Sequence, residues 1–481
     1  MLNSKKLEIN KIVFSNGLNN CPDLIMREFK ICKKISACLV YLNTLVDADY
    51  INRDIISKIL DLKDVKKKDI FKYIKENVIS NSELKVVELE SHAIDLILTG
   101  NAILLIDGED KAIALSIQGW KLRPIQEPPN SVAIKGPREG FTEDIKINIS
   151  LLRRRLVTPD LYIEEKTVGK YTKTKICVCY INTIVDKEIV KEINKKLNEI
   201  SIDGIIDSAY IQEFLEPLND SIFKQSGSSE RPDVITSRLL EGRVAILVDG
   251  SPVVITIPFV LIEDFQNPED YYGKTARAIF VRSIRFIGIM FSLFLPGIYV
   301  SVLLYHYRVI PLRLLITIAN AIEGIPMTPV IETFFIIILF EILYEASLRM
   351  PKYLGMALSI VGGIIIGDMA IKSGIVSPPA LIVVALSGLT IYTAPDAAPQ
   401  LFIMRIGFTI MGAMLGFLGI VLGIVFVLAR LSNFDSYGAA YLGPWAPNIP
   451  SGKNDAIVKA KTKNMSERPE SIPNINNVRT E

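Results

Sequence analysis

The sequence predicts a protein in two parts: an α/β soluble N-terminal region made of two duplicated α/β units, and an α-helical polytopic membrane domain. Three observations lead to this fold class. Residues 1–285 carry most of the charge, residues 286–429 are almost continuously apolar, and two motifs of the first part recur about 140 residues later. With 49% hydrophobic and 22% charged residues, the chain is too apolar for an ordinary soluble protein and too charged to lie wholly in a membrane.

The duplication is visible in two pairs of matching segments that occur in the same order. YLNTLVD at 41–47 matches YINTIVD at 180–186, and LILTGNAILLIDG at 96–108 matches RLLEGRVAILVDG at 238–250. The second copies begin 139 and 142 residues after the first. Each motif indicates a buried strand beside a helical pattern, and the Asp-Gly pairs are explained by turns without a phosphate or metal site. We therefore expect two units, about 28–127 and 174–262, that superpose on each other.

These patterns divide the chain into five regions. They are a first α/β unit at 1–127, a connector at 128–173 with the GPREGFTE motif and a helix ending in three arginines, a second α/β unit with a juxtamembrane segment at 174–285, a transmembrane helical domain at 286–430, and a C-terminal tail at 431–481. The tail is rich in Pro, Asn, Ser and Lys from about Pro444. Because it cannot bury enough apolar surface alone, we expect it to be largely disordered.

The membrane domain is expected to hold about four or five spans and one re-entrant or interfacial segment, since a spanning helix needs about 20 apolar residues. The candidates are 286–305, the short 309–321, 329–348, 354–371, 375–393 and 401–429. The last indicates one long helix whose glycines form a face for close packing. Basic residues before the first span and in the tail favour the cytosol for both termini. Five spans would separate the termini, so one segment is expected to be re-entrant.

Four carboxylates in the apolar helices are candidates for a pore or gate: Glu341, Glu345, Glu332 and Asp368. Ionisable groups inside a membrane are costly, and they usually face protein or water. Glu341 lies deep in its span and is the best single candidate. Two structural alternatives stay open: an i,i+4 pair between Glu345 and Arg349, and a hydrogen bond between helices for Glu341.

The connector contributes five candidates for contacts between subunits: Arg138, Glu139, Arg153, Arg154 and Arg155. They lie in a charge-dense segment without a catalytic pattern, and charge pairs at an interface set register and partner choice. For the three arginines the alternative is a solvated helix end, where cations complement the helix dipole.

Other classes of function find no support in the sequence. A net charge of +2 without a basic face that includes aromatic residues argues against nucleic acid binding. The five cysteines and two histidines fit no metal or redox spacing, so neither a metal site nor a cofactor is expected. No nucleophile elbow, phosphate-binding loop or paired-carboxylate cleft is recognisable, and we expect that the protein is not an enzyme.

Several motifs resemble those of the A subunits of the GerA family of spore germinant receptors. They are GPREGFTED followed by NISLLRRRL, ERPD, GSPVVITIP, DYY, LPGIYVSVLLYHYRVIP, FEILYEASLRMP and SIVGGIIIGDMAIKSGIVSPP. The resemblance covers roughly residues 30–445. One departure lies at 367–374, where this chain reads GDMAIKSG and many members read more like GQAAVEAG. The charges of Asp368 and Lys372 inside this segment are therefore specific to a subset of the family.

The resemblance implies a multi-pass protein of the spore inner membrane that acts with a transporter-like, nutrient-binding B subunit and a lipoprotein C subunit. It also implies a homo-oligomer of the A subunit that forms a nutrient-gated cation channel and triggers germination. Two alternatives remain: a non-conducting adaptor that transmits the ligand state of the B subunit, and a secondary transporter with broken helices and midplane acids.

Overall fold

The first α/β unit is an antiparallel sheet in the order β1-β2-β4-β5-β3 with helices on both faces. The computed structural model describes residues 5–62, 70–79, 84–119, 135–217, 221–349 and 367–479. The strands are β1 Leu24–Ile31, β2 Ile35–Leu42, β3 Leu84–Val87, β4 Asn101–Ile106 and β5 Ala112–Ser116. The helices are α1 Leu7–Gly17, α2 at 48–60, α3 at 70–78 and α4 Glu90–Leu98. Because side chains alternate along β2, one face packs on α1 and α4 and the other on α2 and α3.

The second α/β unit has a sheet of the same topology, in the order β6-β7-β9-β10-β8. Its strands are β6 Leu161–Val168, β7 Thr174–Ile181, β8 Gly227–Ser229, β9 Val244–Val248 and β10 Val254–Ile257. Its helices are α5 Ile145–Arg155, α6 Lys187–Glu199, α7 Ser208–Leu215 and α8 Pro232–Leu239. One face of the sheet packs on α5 and α8, and the other packs on α6 and α7.

The repeated motifs occupy equivalent places in the two sheets. Ala37 of β2 pairs with Ile106 of β4, and Ile176 of β7 pairs with Val248 of β9, so the register follows the same sequence offsets as the motifs. The last aspartate of each YxNTxVD motif caps the next helix, since Asp47 and Asp186 accept hydrogen bonds from backbone N–H groups at the starts of α2 and α6.

The predicted boundary of the second unit is wrong. Residues 128–173 were expected to form a connector, but α5 and β6 lie within them and are the first helix and first strand of the second unit. The apolar side of α5, with Ile149 and Leu152, packs into the core beside β7 and β9. The repeat predicted at about 28–127 also begins earlier, since α1 lies before residue 28 and β1 starts at Leu24. No repeated motif marks α1 and α5, so the sequence match did not reveal that the duplication includes them.

The apolar part of the chain forms six helices within the described residues, together with a helical turn at 367–372. They are α9 Thr275–Tyr305, α10 Leu312–Ile322, α11 Pro329–Arg349, α12 Pro378–Ile391, α13 Ala398–Leu415 and α14 Phe417–Ser432. Two of the described segments, Thr275–Tyr305 and Pro395–Leu415, are long and apolar enough to cross a membrane by length and composition. Most of the expected span at 354–371 lies outside the described residues.

The segment 401–429 is not one helix, contrary to the expectation from its length. The chain breaks at Gly416, whose φ of 63° and ψ of −146° separate α13 from α14. A positive φ of this kind is accessible to glycine at little cost. The two helices then pack against each other, with Gly423 beside Phe408 and Met411. The predicted glycine packing face is therefore used between the halves of this segment as well as against another helix.

The tail is ordered over its described part, and the prediction of a largely disordered tail is wrong. Tyr437, in the turn between the short strands β11 Asp435–Ser436 and β12 Ala439–Ala440, enters the core of the second unit. Further along, Asn474 forms a β-bridge with Val185, and Ile475 N–H donates to the carbonyl of Ile184 at 2.9 Å. A polar segment does not need its own core when another domain supplies its partners, and composition does not reveal those partners.

Candidate functional site at the junction of the second unit and the membrane helices

Three segments that are far apart in the sequence meet where the second unit adjoins the start of α9. They are GPREGFTED at 136–144, ERPD at 230–233 and DYY at 270–272. Arg231 donates a hydrogen bond to the carbonyl of Pro137 at 3.2 Å, and the Tyr272 hydroxyl donates to Asp233 at 2.6 Å. The Tyr272 ring also lies against Gly136. These motifs therefore form one site.

The Asp233 carboxylate holds this site together. It pairs with Arg231 at 2.7 Å and accepts the hydrogen bond from Tyr272. Burial alone would raise the pKa of Asp233, but the hydrogen bonds from Arg231 and Tyr272 outweigh burial and lower the pKa. Asp233 thus stays ionised, and it fixes the segment before α9 to the second unit.

The three consecutive arginines at the end of α5 have different partners. Arg153 is buried and binds Asp23 of the first unit through two hydrogen bonds of 2.7 and 2.8 Å. Arg155 pairs with Glu139 at 2.7 Å, and Arg154 approaches the same carboxylate at 3.6 Å. The structure corrects the expectation for Arg153, because its charge joins the two units of one chain and does not reach a surface. The side chains of Glu139, Arg154 and Arg155 remain partly exposed.

Charge reversal separates the roles of these arginines. Arg153→Glu is expected to lower the free energy of unfolding by about 3–5 kcal/mol, because it leaves the buried Asp23 without its cation. Arg154→Glu is expected to change it by only about 0.5 kcal/mol and to weaken self-association if this face, with exposed Arg138, contacts another subunit. Thermal unfolding and light scattering of the purified chain measure the two effects. An unchanged oligomer size for the reversal of both Arg154 and Arg155 would reject the contact.

A second ionic network lies in the first turns of α9. Asp270 binds Arg282 at 2.8 Å and Arg285 at 3.3 Å, and Arg282 also binds Asp455 of the tail at 2.9 Å. Asp270 and Arg282 are buried. Two of the cations that precede the first apolar stretch are thus neutralised by carboxylates of the chain, one of them by a residue of the tail.

A third contact joins the second unit to α13. The Gln400 side chain accepts a hydrogen bond from the backbone N–H of Lys224 at 3.2 Å and donates one to Asp264 at 2.9 Å. Burial raises the pKa of Asp264 to about 6, so this carboxylate is protonated more easily than an ordinary aspartate. Burial would also raise the pKa of the neighbouring Glu263, but the attraction of Arg243 and Arg238 outweighs burial and the pKa is lowered.

Among the four carboxylates predicted for a pore or gate, Glu332 has a distinct environment. It is fully buried, and one carboxylate oxygen accepts a hydrogen bond from the backbone N–H of Ser377, the N-cap of α12. A negative charge at a helix N-terminus is favourable because the helix dipole is positive there. The other oxygen has no hydrogen-bond partner among the described residues. This position is typical of a carboxylate that caps a helix, and it is less suited to lining an open pore.

The other three predicted carboxylates have basic neighbours. Glu345 pairs with Arg349 at 2.8 Å, as the structural alternative proposed, and Asp368 pairs with Lys372 at 2.6 Å; both pairs are exposed. Glu341 is 37% exposed and its carboxylate lies 4.0 Å from the guanidinium of Arg405. Arg405 was not among the predicted site residues. Arg405 lies in the middle of α13, because this helix ends at Leu415 and does not continue to residue 429. A charged residue inside a short apolar helix was the sequence feature that could have identified it as a site residue.

Arg405 is poorly compensated for a buried cation. Its side chain is 2% exposed, its Nη1 lies 3.5 Å from the Ser387 hydroxyl, and its guanidinium stacks over the Phe402 ring at 5.1 Å. Its Nε has no hydrogen-bond partner among the described residues. The loose contact with Glu341 is the one ion pair that Arg405 makes within the described part of the chain.

The described residues contain no group of three or more His, Cys, Asp and Glu side chains that could hold a metal ion. The five cysteines are free thiols, and four of them are buried. Burial raises the pKa of Cys177 and Cys38 to about 12, so these thiols are poor nucleophiles.

Two α/β units joined by the buried Arg153–Asp23 pair and followed by apolar helices define a protein with an α/β N-terminal region and a helical C-terminal part. The chain belongs to the family described as Bacillus/Clostridium GerA spore germination protein, whose family model matches residues 13–471. This result confirms the family that the sequence motifs predicted.

Curated relatives align over nearly the whole chain. Spore germination protein KA of Bacillus subtilis (strain 168) is 35% identical over 466 residues, which cover 96% of this chain and 86% of that protein. Spore germination protein A1 of the same strain is 31% identical over 471 residues, covering 96% and 95%. The uncharacterized membrane protein YfkQ of that strain is 33% identical, covering 93% and 88%.

One solved structure is similar to part of this chain. It is the N-terminal domain of the A subunit of the Bacillus megaterium spore germinant receptor GerK3. It is 29% identical and covers 53% of this chain and 94% of that domain, with a TM-score of 0.41.

Proposed function

We propose that the chain is the A subunit of a nutrient germinant receptor that triggers spore germination. The observation that carries the proposal is the family match over residues 13–471. The chain also aligns with most of the length of relatives that are named spore germination proteins. In this proposal the chain acts in the spore inner membrane with a transporter-like B subunit that binds the nutrient and a lipoprotein C subunit. It has no catalytic role.

We also propose that several copies assemble into a nutrient-gated cation channel. Glu341 and Glu345 are 37% and 54% exposed on α11 within an isolated chain. Charged groups on a membrane helix face protein or water because exposure to lipid is costly, so a larger assembly would have to cover or hydrate this helix. In a symmetric oligomer each such carboxylate becomes a ring, and acidic rings favour cations.

Planar bilayers test the channel directly. The purified chain is reconstituted alone, with the B and C subunits, and with all three and nutrient. A cation current that requires nutrient and all three subunits is the expected result. As a control, the same protein must restore germination when it is expressed in spores that lack the chain. If it does so and no combination gives a current in the bilayer, the result would contradict a channel.

A non-conducting adaptor is the second candidate, and the junction favours it. The second unit, the tail and two apolar helices are joined by buried ion pairs and by Gln400, an arrangement suited to transmitting a change of conformation. An adaptor would restore germination in the spore test and give no current in the bilayer. The two measurements together therefore separate the two functions.

The tail and the second unit are proposed to lie on the same side of the membrane, since their described residues contact each other directly. The basic residues before the first apolar stretch favour the cytosol for that side. A cysteine introduced at exposed Lys461 should resist an impermeant thiol reagent added from outside, whereas one at Tyr307, beyond the end of α9, should react. Lys459 is unsuitable as a labelling site because it is buried. Labelling of Lys461→Cys in intact membranes would overturn this topology.

A further inference from the structure

The end of the chain, residues 451–479, crosses the junction and continues over the second unit, and we call it the C-terminal strap. At one end it binds the start of α9 through Asp455. At the other end Arg468 donates to the carbonyl of Leu240 at 2.8 Å, and Arg479 pairs with Glu241 at 3.4 Å. The strap therefore has partners both on the first membrane helix and on the segment of the second unit that follows α8.

Arg282 of α9 is the centre of the first attachment. Its side chain is fully buried and donates to the carboxylates of Asp270 at 2.8 Å and Asp455 at 2.9 Å. The same guanidinium donates to the backbone carbonyls of Asp455 and Ala456 at 3.0 and 2.7 Å. One side chain of the membrane helix thus binds the juxtamembrane loop and the strap at once.

Two further hydrogen bonds join the juxtamembrane loop to the strap. The Tyr271 hydroxyl donates to Asp455 at 2.6 Å, and the buried Lys459 ammonium donates to the carbonyl of Asp270 at 3.0 Å. Strap and loop therefore hold each other through hydrogen bonds that run in both directions.

We propose that the strap makes the second unit and the start of α9 move as one body, with Asp455 as the residue that positions Arg282. Under the proposed receptor function, on which this step rests, a movement of the second unit would reach the membrane through this link. Asp455 can be changed without leaving Arg282 uncompensated, since Asp270 remains bound to it. Loss of Asp455 should therefore weaken the coupling more than the fold.

Hydrogen exchange on the purified full chain tests the link itself. In Asp455→Asn the backbone amides of the strap and of the first turns of α9 should exchange about tenfold faster, because the hydrogen bond from Arg282 loses the negative charge of its acceptor. Glu470→Gln, which removes an exposed carboxylate of the same strap, is the matched control and should leave exchange unchanged. If Asp455→Asn does not accumulate, Asp455→Glu replaces it, since it keeps the charge but displaces it.

Germination of spores that carry these variants as their only receptor tests the consequence. Asp455→Asn should raise the nutrient concentration for half-maximal germination several-fold at normal protein level, and Glu470→Gln should not. Unchanged exchange in α9, or a normal nutrient response after deletion of residues 455–481, would overturn the proposal. The exchange measurement does not depend on a receptor function. Faster exchange in both the strap and α9 of Asp455→Asn would therefore support the link by itself. If spores with the wild-type chain gave no nutrient response, that result would contradict the proposed function and leave the link intact.

Discussion

Gly412→Ala is expected to disrupt the packing of α9 on α13, whereas Gly407→Ala on the same helix is expected to be tolerated. An added Cβ at Gly412 would lie 2.5 Å from the carbonyl oxygen of Gly297, and one at Gly297 would lie 2.7 Å from that of Phe408. The obstructing atoms belong to the backbone, so no rotamer change can relieve the clash and the helices must separate. Overpacking of this kind costs about 1–3 kcal/mol, and a larger residue such as leucine costs more.

Thermal unfolding of the detergent-solubilised chain measures this difference. An added Cβ at Gly407 has no heavy atom within 4 Å, so the substitution should change stability little or raise it slightly through better helix propensity. Gly412→Ala should lower the melting temperature and reduce the amount of protein in the membrane. Equal melting temperatures for the two variants would show that α9 and α13 do not approach each other closely at Gly297 and Gly412.

The parts of the fold that could be predicted are those that the sequence records twice or at short range. The motifs at 41–47 and 180–186 predicted that β2 and β7 are equivalent strands. Ala37 of β2 and Ile176 of β7 are separated by the same number of residues as the two motifs, and each pairs with the equivalent strand of its own sheet. The Glu345–Arg349 pair followed from a spacing of four residues, which places both side chains on one face of a helix.

The parts that could not be predicted depend on partners that are distant in the sequence. Arg153 finds Asp23 in the other unit, and Arg282 finds Asp455 in the tail, so composition alone suggested a subunit contact and a disordered segment. Periodicity also gave no sign that Gly416 would adopt a positive φ, because glycine fits both a helix interface and a break. In each case the deciding interaction is tertiary.

Glu341→Gln is expected to reduce nutrient-triggered cation release far more than Glu345→Gln, and the structure supplies a reason that the sequence did not. Glu345 and Arg349 form an exposed pair worth about 0–1 kcal/mol, so its loss should have little effect. Loss of Glu341 removes the ion-pair partner of Arg405, whose side chain is buried. Breaking a buried pair costs about 3–5 kcal/mol, and the cost should be smaller here because Glu341 is 37% exposed and 4.0 Å away.

The double variant Glu341→Gln/Arg405→Gln decides whether Glu341 acts on ions or only on Arg405. If Glu341 serves to compensate Arg405, removing both charges should restore protein level and cation release, since two amides can bond to each other and to Ser387. If Glu341 lines the pore, the double variant should regain protein level but keep the loss of cation selectivity, measured as a shift in reversal potential. Arg405→Gln alone should then leave selectivity intact, because it frees the Glu341 carboxylate. A double variant that is no better than Glu341→Gln in either measurement would show that the two side chains are not coupled, and the 4.0 Å contact would have no functional weight.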